Sequence, residues 1–183
     1  MNQSEVTPKN IVLIGFMGSG KSTVGRELHQ RLGYHLTDMD QLIEERLGKK
    51  ISEIFVEEGE SAFRDFETMQ LMEIARQTDK RHIISTGGGI VIRPENRSLL
   101  RRLGYVVWLN APEEVISERT SRNRDRPLLN HQDSRARIAM LLAEREPWYR
   151  ETAHLKIDTA GLDSHETAAG ILESARYFFT HPA

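Results

Sequence analysis

One short motif restricts the possible folds of this chain more than any other feature. Residues 15–22 have the pattern G-x-x-x-x-G-K-S, and an apolar run, residues 11–14, comes directly before them. A buried strand that enters a glycine-rich turn and then a helix directs backbone N–H groups and the positive helix end toward one point. Such a loop binds nucleotide phosphates. A chance glycine-rich turn is the alternative, but the order of strand, loop, Gly-Lys-Ser and helix is the context that the motif requires.

The side chains of this loop have distinct expected roles. Lys21 would reach the β- and γ-phosphates, and the hydroxyl of Ser22 would bind Mg²⁺. We therefore predict that the nucleotide is contacted by Gly15, Gly18, Ser19, Gly20, Lys21, Ser22 and Thr23.

The composition argues against several other classes of protein. The chain has 183 residues, which fits one domain, and its formal net charge of -2 argues against a general nucleic-acid binder, which normally carries a basic excess. The lack of cysteine excludes disulfides and fits a reducing compartment. No apolar run approaches the roughly 18 residues of a membrane span, and no signal peptide is visible. We therefore expect a cytoplasmic protein without nucleic-acid or membrane partners.

Short apolar runs alternate with helical patterns along the chain. This alternation indicates right-handed crossovers onto a parallel sheet, so we predict an α/β sandwich. Asp163 and Glu166 resemble a capping box at the start of the last helix. The five predicted strands cover residues 11–14, 34–36, 82–85, 105–109 and 154–157.

Two carboxylates follow the second predicted strand, before a helix predicted from about Gln41 to Leu47. Ligands of open parallel sheets bind beyond the carboxyl ends of the strands, so Asp38 and Asp40 should lie on the same side as the phosphate loop. One carboxylate can bind the metal ion, and the other can bind the molecule that accepts the phosphate. The alternative is that either aspartate only caps the following helix.

A helix predicted from Gly59 to about Arg76 carries charges on its apolar face. Arg64 and Glu67 lie on the same stripe as Leu71. They either form an ordinary ion pair or project into a site, and the sequence does not decide between the two.

Three consecutive glycines follow the third predicted strand. Gly87, Gly88 and Gly89 cost backbone entropy, which is reasonable where a ligand comes close to the main chain. Their N–H groups could bind a small anionic or hydroxylated molecule. A flexible turn is the alternative.

Arginines recur after the fourth predicted strand. Arg119, Arg122, Arg124 and Arg126 lie within eight residues. Charge runs are usually solvated surface, but beside a nucleotide site such a segment suits a closing lid that excludes water and neutralises charge.

A further arginine lies on an apolar helix stripe. Arg145 follows Ile138, Leu141 and Leu142 at helical spacing. It either extends to solvent near the helix end, since Pro147 comes soon after, or clamps a carboxylate.

Together these segments resemble the shikimate kinase family over nearly the whole chain. The combination is far more specific than a phosphate loop, which many kinases and ATPases share. The resemblance implies a nucleoside-monophosphate-kinase fold with strand order 2-3-1-4-5, and transfer of phosphate from ATP to shikimate. The matching segments are residues 15–22, 38–40, 59–67, 87–89, 126–129 and 144–149.

The resemblance also implies roles for individual residues on the nucleotide side. Lys21 would hold the phosphates, and Ser22 and Asp38 would serve Mg²⁺. Arg126 would be the lid residue that reaches both substrates, and Arg119 would lie against the adenine. The family often has a basic residue soon after positions 158 and 159, whereas alanine and glycine follow here.

On the acceptor side, the resemblance implies that Asp40 binds the shikimate hydroxyls and that Arg64 and Arg145 clamp the shikimate carboxylate. The substrate would also be lined by Gly87, Gly88 and Gly89. We expect one kinase domain over residues 1–183, with a substrate-binding region at about 38–76 and a lid at about 119–131. We also expect the chain to be a monomer.

Two other functions are alternatives to shikimate phosphorylation. A gluconate-type sugar-acid kinase would use the same scaffold, although the Arg64/Glu67 pattern and the triple glycine favour shikimate. A regulatory module without catalysis is the other, and the presence of Lys21, Ser22 and both aspartates argues against it.

Overall fold

Five parallel strands form one sheet in the order β2-β3-β1-β4-β5. The computed structural model describes residues 10–77, 81–121 and 134–180. Helices cover both faces of the sheet, so the predicted three-layer α/β sandwich with strand order 2-3-1-4-5 is confirmed. The strands are β1 (Asn10–Ile14), β2 (His35–Asp38), β3 (His82–Ser85), β4 (Gly104–Asn110) and β5 (Leu155–Asp158).

Eight α-helices lie within the described ranges. A 3-10 turn, Ile90–Ile92, follows the three glycines. None of these helices is long and apolar enough to span a membrane. The helices are α1 (Lys21–Leu32), α2 (Met39–Leu47), α3 (Ile51–Glu57), α4 (Gly59–Arg76), α5 (Pro94–Leu103), α6 (Glu113–Ser121), α7 (Ser134–Thr152) and α8 (Ser164–Thr180).

The central strand β1 is buried on both faces, which explains its continuous apolar sequence. Successive side chains of β1 pack alternately into two separate hydrophobic cores. Ile11 and Leu13 pack with residues of α1 and α8, whereas Val12 and Ile14 pack with residues of α4, α5 and α7. The loop after β1 is therefore fixed at the edge of a rigid sheet.

The predicted elements differ from the structure mainly at their ends. Strand β2 covers 35–38 rather than 34–36 because it pairs with β3 from His35 to Asp38. Helix α2 starts at Met39, so Asp40 lies in its first turn rather than before it. The predicted capping box is confirmed, because Asp163 and Glu166 each accept a hydrogen bond from the other's backbone N–H.

Helix α7 does not end near Pro147, and that expectation is wrong. The helix continues through the proline to Thr152. A proline inside a helix removes one hydrogen bond and crowds the carbonyl four residues earlier. Here the following turn is held by packing, because Trp108 stacks on Tyr149 with ring centroids 5.7 Å apart.

Helix α3 is an element that the sequence pattern did not predict. It is only seven residues long and lies between α2 and α4. Its Ile54 packs with Ile43 of α2 and Phe63 of α4, in a small apolar cluster separate from the two main cores. The three helices therefore form one packed unit beside the carboxyl end of the sheet.

Candidate active site

A cleft of about 640 Å³ lies at the carboxyl ends of the strands. The phosphate loop, the start of α2, helices α3 and α4, the glycine turn and helix α7 all contribute to its walls. Open parallel sheets bind ligands at this edge. The predicted site residues that line it are Gly18, Ser19, Gly20, Lys21, Ser22, Thr23, Asp38, Asp40, Arg64, Gly87, Gly88, Gly89, Arg119 and Arg145.

The phosphate loop has a backbone that favours glycine at three positions. Gly15, Gly18 and Gly20 have φ values of 142°, 80° and 101°, which L side chains rarely adopt. Gly15 also packs against the backbone of Leu109, where a side chain would collide with the carbonyl oxygen. It shapes the loop from beneath rather than lining the cleft.

Lys21 is buried along this loop, with 8% of its surface exposed. Its Nζ donates to the carbonyl oxygens of Gly15 and Phe16, both at 2.8 Å. These bonds hold the ammonium group across the loop. Because the ammonium group is already held in position, it can stabilise a transferring phosphoryl group with little reorganisation.

Ser22 and Asp38 are in direct contact at the wall of the cleft. The Ser22 hydroxyl donates to Asp38 Oδ2 at 3.1 Å. The other carboxylate oxygen accepts from the backbone N–H groups of Asp40 and Gln41, so Asp38 also caps α2. Asp38 therefore caps α2 with one oxygen, as the alternative reading expected, while its other oxygen contacts the phosphate loop and leaves the metal role a prediction.

The donor set at this point fits Mg²⁺. Mg²⁺ prefers oxygen ligands and is often held by one or two carboxylates together with substrate phosphates. Ser22 and Asp38 offer a hydroxyl and a carboxylate beside the phosphate loop. Across the described residues, no cluster of three or more histidine, aspartate or glutamate side chains could hold a metal alone.

Two carboxylates meet at Gly87. An ideal Cβ on this glycine would lie 2.8 Å from Asp40 Oδ1 and 2.6 Å from Glu67 Oε1. Only a residue without a side chain lets both carboxylates come this close to the turn. The glycine therefore serves the packing of the acidic pair as well as any ligand.

Arg64 is buried and held by two carboxylates. Its Nη1 donates to Glu67 Oε2 at 2.6 Å and its Nη2 donates to Glu60 Oε1 at 2.8 Å. The guanidinium also lines the cleft. The two alternatives for the Arg64/Glu67 pair are therefore compatible, because the ion pair is what fixes the arginine in the wall.

Glu67 is fully buried, and this burial raises its pKa to about 7. The nearby Arg64 guanidinium opposes the shift by favouring the charged form, and the negative charge of Asp40 adds to it. The carboxyl group thus changes protonation near neutral pH.

Arg145 does not extend to solvent, so that alternative is wrong. Only 2% of its surface is exposed, and its guanidinium lies 5.6 Å from the ring centre of Phe16. Its Nη1 donates to the carbonyl of Gly88 at 3.2 Å. Because α7 continues past Pro147, Arg145 lies in the helix interior and cannot bend around a helix end.

The glycine turn is a fixed structure rather than a flexible one. The carbonyl of Gly88 accepts hydrogen bonds from Arg145 and from the hydroxyl of Tyr149. Burial raises the pKa of Tyr149 to about 12, which keeps this hydroxyl protonated as a donor. Gly89 lies directly under the guanidinium of Arg64, which leaves no room for a side chain.

Arg119 connects the end of α6 to the phosphate loop. Its Nη1 donates to the carbonyl of Gly18 at 3.0 Å. Thr159 and Leu162 line the same cleft as Arg119. Arg122, Arg124 and Arg126 lie outside the described residues, as does most of the predicted lid.

Sequence reasoning missed several residues of the cleft wall. Glu44, Ile51 and Phe55 line it, as does Phe63. Glu44 follows Asp40 by four residues, which is a detectable signal once α2 is known to begin before Asp40. Ile51 and Phe55 belong to helix α3, which was not predicted, so no sequence pattern indicated that they line the cleft.

Comparisons with known proteins agree on one family. The shikimate kinase family model matches residues 17–176. A shikimate kinase of Geobacter metallireducens is 47% identical over 163 residues, covering 89% of each chain. The solved shikimate kinase of Acinetobacter baumannii, in complex with shikimate, is 41% identical, with a TM-score of 0.87 and 93% of each chain covered.

A gluconokinase of Sinorhizobium meliloti is more distantly similar. It is 18% identical, with a TM-score of 0.55 over 96% of this chain and 99% of the other. Similarity at this level shows a shared fold and nothing about the acceptor.

Proposed function

The chain belongs to the shikimate kinase family, and we propose that the residues converging in its cleft carry out the transfer of phosphate from ATP to shikimate. The reaction gives shikimate 3-phosphate and ADP, in aromatic amino-acid biosynthesis. One observation supports the proposed roles most strongly. Two buried guanidiniums, Arg64 and Arg145, line the same cleft as the phosphate loop.

Arg64 and Arg145 would bind the carboxylate of shikimate. Planar guanidiniums match a carboxylate with paired hydrogen bonds, and burial strengthens the attraction. Glu67, Glu60 and Gly88 hold the two side chains in place before substrate arrives. Little conformational entropy is then lost on binding.

Asp40 would orient the reacting hydroxyl. It lies in the first turn of α2 and lines the same cleft as the phosphate loop and the two arginines. Its carboxylate would accept a hydrogen bond from the 3-hydroxyl and direct the oxygen in line with the γ-phosphorus. As the new O–P bond forms and the bond to ADP breaks, the hydroxyl proton passes to Asp40 or to solvent.

Lys21 and the N–H groups of the phosphate loop would bind the phosphates. The loop precedes α1, so the positive helix end faces the same point. Ser22 and Asp38 would hold Mg²⁺, which would help to neutralise the charge of the phosphates. Arg119 would lie against the base, and Arg126 would reach the transferring group from the lid.

The two aspartates provide the test of these roles. In Asp38→Asn, weaker coordination should be partly overcome by excess Mg²⁺, because mass action compensates for lost affinity. In Asp40→Asn, we expect a severe loss of turnover that no Mg²⁺ concentration restores, with ATP still bound. Turnover is measured against Mg²⁺ for both variants. Recovery of the Asp40 variant at high Mg²⁺ would mean that the roles are reversed.

The organisation of the chain is part of the same proposal. We propose one kinase domain over residues 1–183, with substrate binding at about 38–76 and a lid at about 119–131. We also propose that the chain is a monomer. The use of ATP and the lack of cysteine support a cytoplasmic location. Sedimentation at assay concentration and cell fractionation test these two points.

A further inference from the structure

Glu44 connects two helices of the acceptor side through a backbone hydrogen bond. It lies on α2, one turn after Asp40. Its Oε1 accepts from the N–H of Ile51 at 2.9 Å, and its Oε2 accepts from Lys50 Nζ at 3.1 Å. Ile51 is the first residue of α3. The Glu44 carboxylate thus links α2, the helix of Asp40, to the first residue of α3.

The start of α3 needs such an acceptor. The first N–H groups of a helix have no partner inside it, and a side-chain oxygen at the cap position usually accepts one of them. The cap residue here is Lys50, whose side chain has no acceptor. Glu53 accepts from the N–H of Lys50 at 2.7 Å, and Glu44 satisfies the N–H of Ile51. A negative charge also suits the positive helix end.

Helix α3 matters because it forms the apolar wall of the cleft. Ile51 and Phe55 are one turn apart on α3, and both line the cleft with Asp40. The helix has seven residues, and within its length only Ile54 is fully buried. Short helices are marginally stable alone, so the position of α3 depends both on the packing of Ile54 and on contacts at its ends.

We propose that Glu44 is a positioning residue that fixes α3 against α2. It thereby sets the distance between the apolar wall of Ile51 and Phe55 and the carboxylate of Asp40. The proposal rests on the acceptor role of this side of the cleft given above. Nucleotide binding, which uses the phosphate loop and α1, is independent of Glu44.

The ion pair with Lys50 is a lesser part of this arrangement. The Lys50 side chain is 73% exposed, and exposed ion pairs contribute little to stability. The bond to the N–H of Ile51 is part-buried and joins two helices. A variant of Lys50 therefore separates the effect of the charge from the effect of the backbone bond.

Three variants test the proposal in a coupled ADP-release assay. Glu44→Ala removes the acceptor, and we expect the KM for shikimate to rise by about tenfold or more while the KM for ATP stays within about twofold, since small displacements at a reacting centre are costly. Glu44→Gln keeps an oxygen for the N–H of Ile51 and should restore most of the loss. Lys50→Met should behave as wild type.

Hydrogen exchange of residues 50–57 provides a second readout that does not depend on activity. Exchange in this segment should accelerate in Glu44→Ala and stay slow in Glu44→Gln, with residues 10–14 unchanged in both. An unchanged shikimate KM in Glu44→Ala, despite faster exchange, would overturn the proposal. So would a Gln variant as impaired as the Ala variant, because the charge itself would then act on the substrate.

A general loss of stability is also distinguishable. It would reduce the folded fraction, which lowers the apparent kcat and leaves both KM values unchanged, and that result overturns the positioning role. Failure of the wider function would instead appear as wild-type protein that forms no ADP in response to shikimate.

Discussion

Replacement of Gly89 by alanine tests how closely the cleft depends on one guanidinium. The backbone of Gly89 has φ −100° and ψ 3°, a turn conformation that alanine also adopts, so the new residue adds little backbone strain. The added methyl group, however, would overlap the Cζ, Nη1 and Nη2 atoms of Arg64. The substitution therefore moves Arg64 without changing its charge.

The expected effect follows from how tightly Arg64 is held. Non-bonded heavy atoms keep about 3.5 Å apart, so the guanidinium must move by roughly 1 Å or more. Its ion pairs with Glu67 and Glu60, at 2.6 and 2.8 Å, resist that movement. Loss of one partner from a desolvated charge pair costs about 2–5 kcal/mol, which corresponds to about 30-fold or more in shikimate affinity.

The measurement is the KM for each substrate in a coupled ADP-release assay. Gly89→Ala should raise the KM for shikimate by about 30-fold or more and leave the KM for ATP within about twofold. Gly170→Ala is the matched control, because its Cβ would make only an ordinary contact, 4.0 Å from Ile157 Cδ1. An unchanged shikimate KM in a folded Gly89→Ala protein would refute the assignment of Arg64 to the carboxylate.

Three further predictions concern charge. Lys21→Ala should keep the circular dichroism of wild type and lose most turnover, because the ammonium acts on phosphates in the transition state; near-normal turnover would reject the phosphate-loop assignment. Arg126→Ala should lower kcat more than it raises either KM; a rise in the KM for ATP alone would make Arg126 only a ground-state contact. Because burial raises the pKa of Glu67 from 4.5 to about 7, the folded protein keeps a proton between these values that the unfolded chain has lost. The stability from this group is therefore fully present below pH 4.5 and is lost as the pH rises toward 7. Melting temperatures of wild type and Glu67→Gln should show wild type losing stability relative to the variant over this range, and a constant difference would contradict the raised pKa.

The sequence was sufficient where the structure depends on neighbouring residues or on a general rule of parallel sheets. The phosphate loop is continuous in sequence, so strand, loop and helix could be predicted together. The rule that ligands bind at the carboxyl ends of parallel strands then placed Asp38 and the glycine turn beside the loop. The structure brings the hydroxyl of Ser22 to 3.1 Å from Asp38, across 16 positions of sequence.

The sequence was insufficient where a contact depends on how helices pack. Arg145 lies inside the protein because α7 continues through Pro147, and the packing of Tyr149 beyond the proline supports that continuation. Local rules for proline had left exposure near a helix end as one of two alternatives for Arg145. The length and position of α3 likewise depend on Ile43 and Phe63 of its neighbours. The bond from Glu44 to Ile51 could not be inferred without that helix.

The glycine turn shows a further reason why the sequence alone was insufficient. Sequence suggested that three glycines make room for a ligand, which is a reason based on the backbone alone. In the structure, Gly87 and Gly89 are also required by side chains of the protein, namely the carboxylates of Asp40 and Glu67 and the guanidinium of Arg64. Such a requirement comes from residues distant in sequence and cannot be seen in the turn itself.

Product formation by the purified protein tests the central claim most directly. ATP and Mg²⁺ are supplied with shikimate, with gluconate or with a nucleoside monophosphate, ADP release is followed, and the product is examined by phosphorus NMR. We predict ADP formation that depends on shikimate, in equal amounts with a single phosphomonoester at the 3-hydroxyl. Faster ADP formation with gluconate or a nucleoside monophosphate, or a rate that does not change when shikimate is added, would contradict the account.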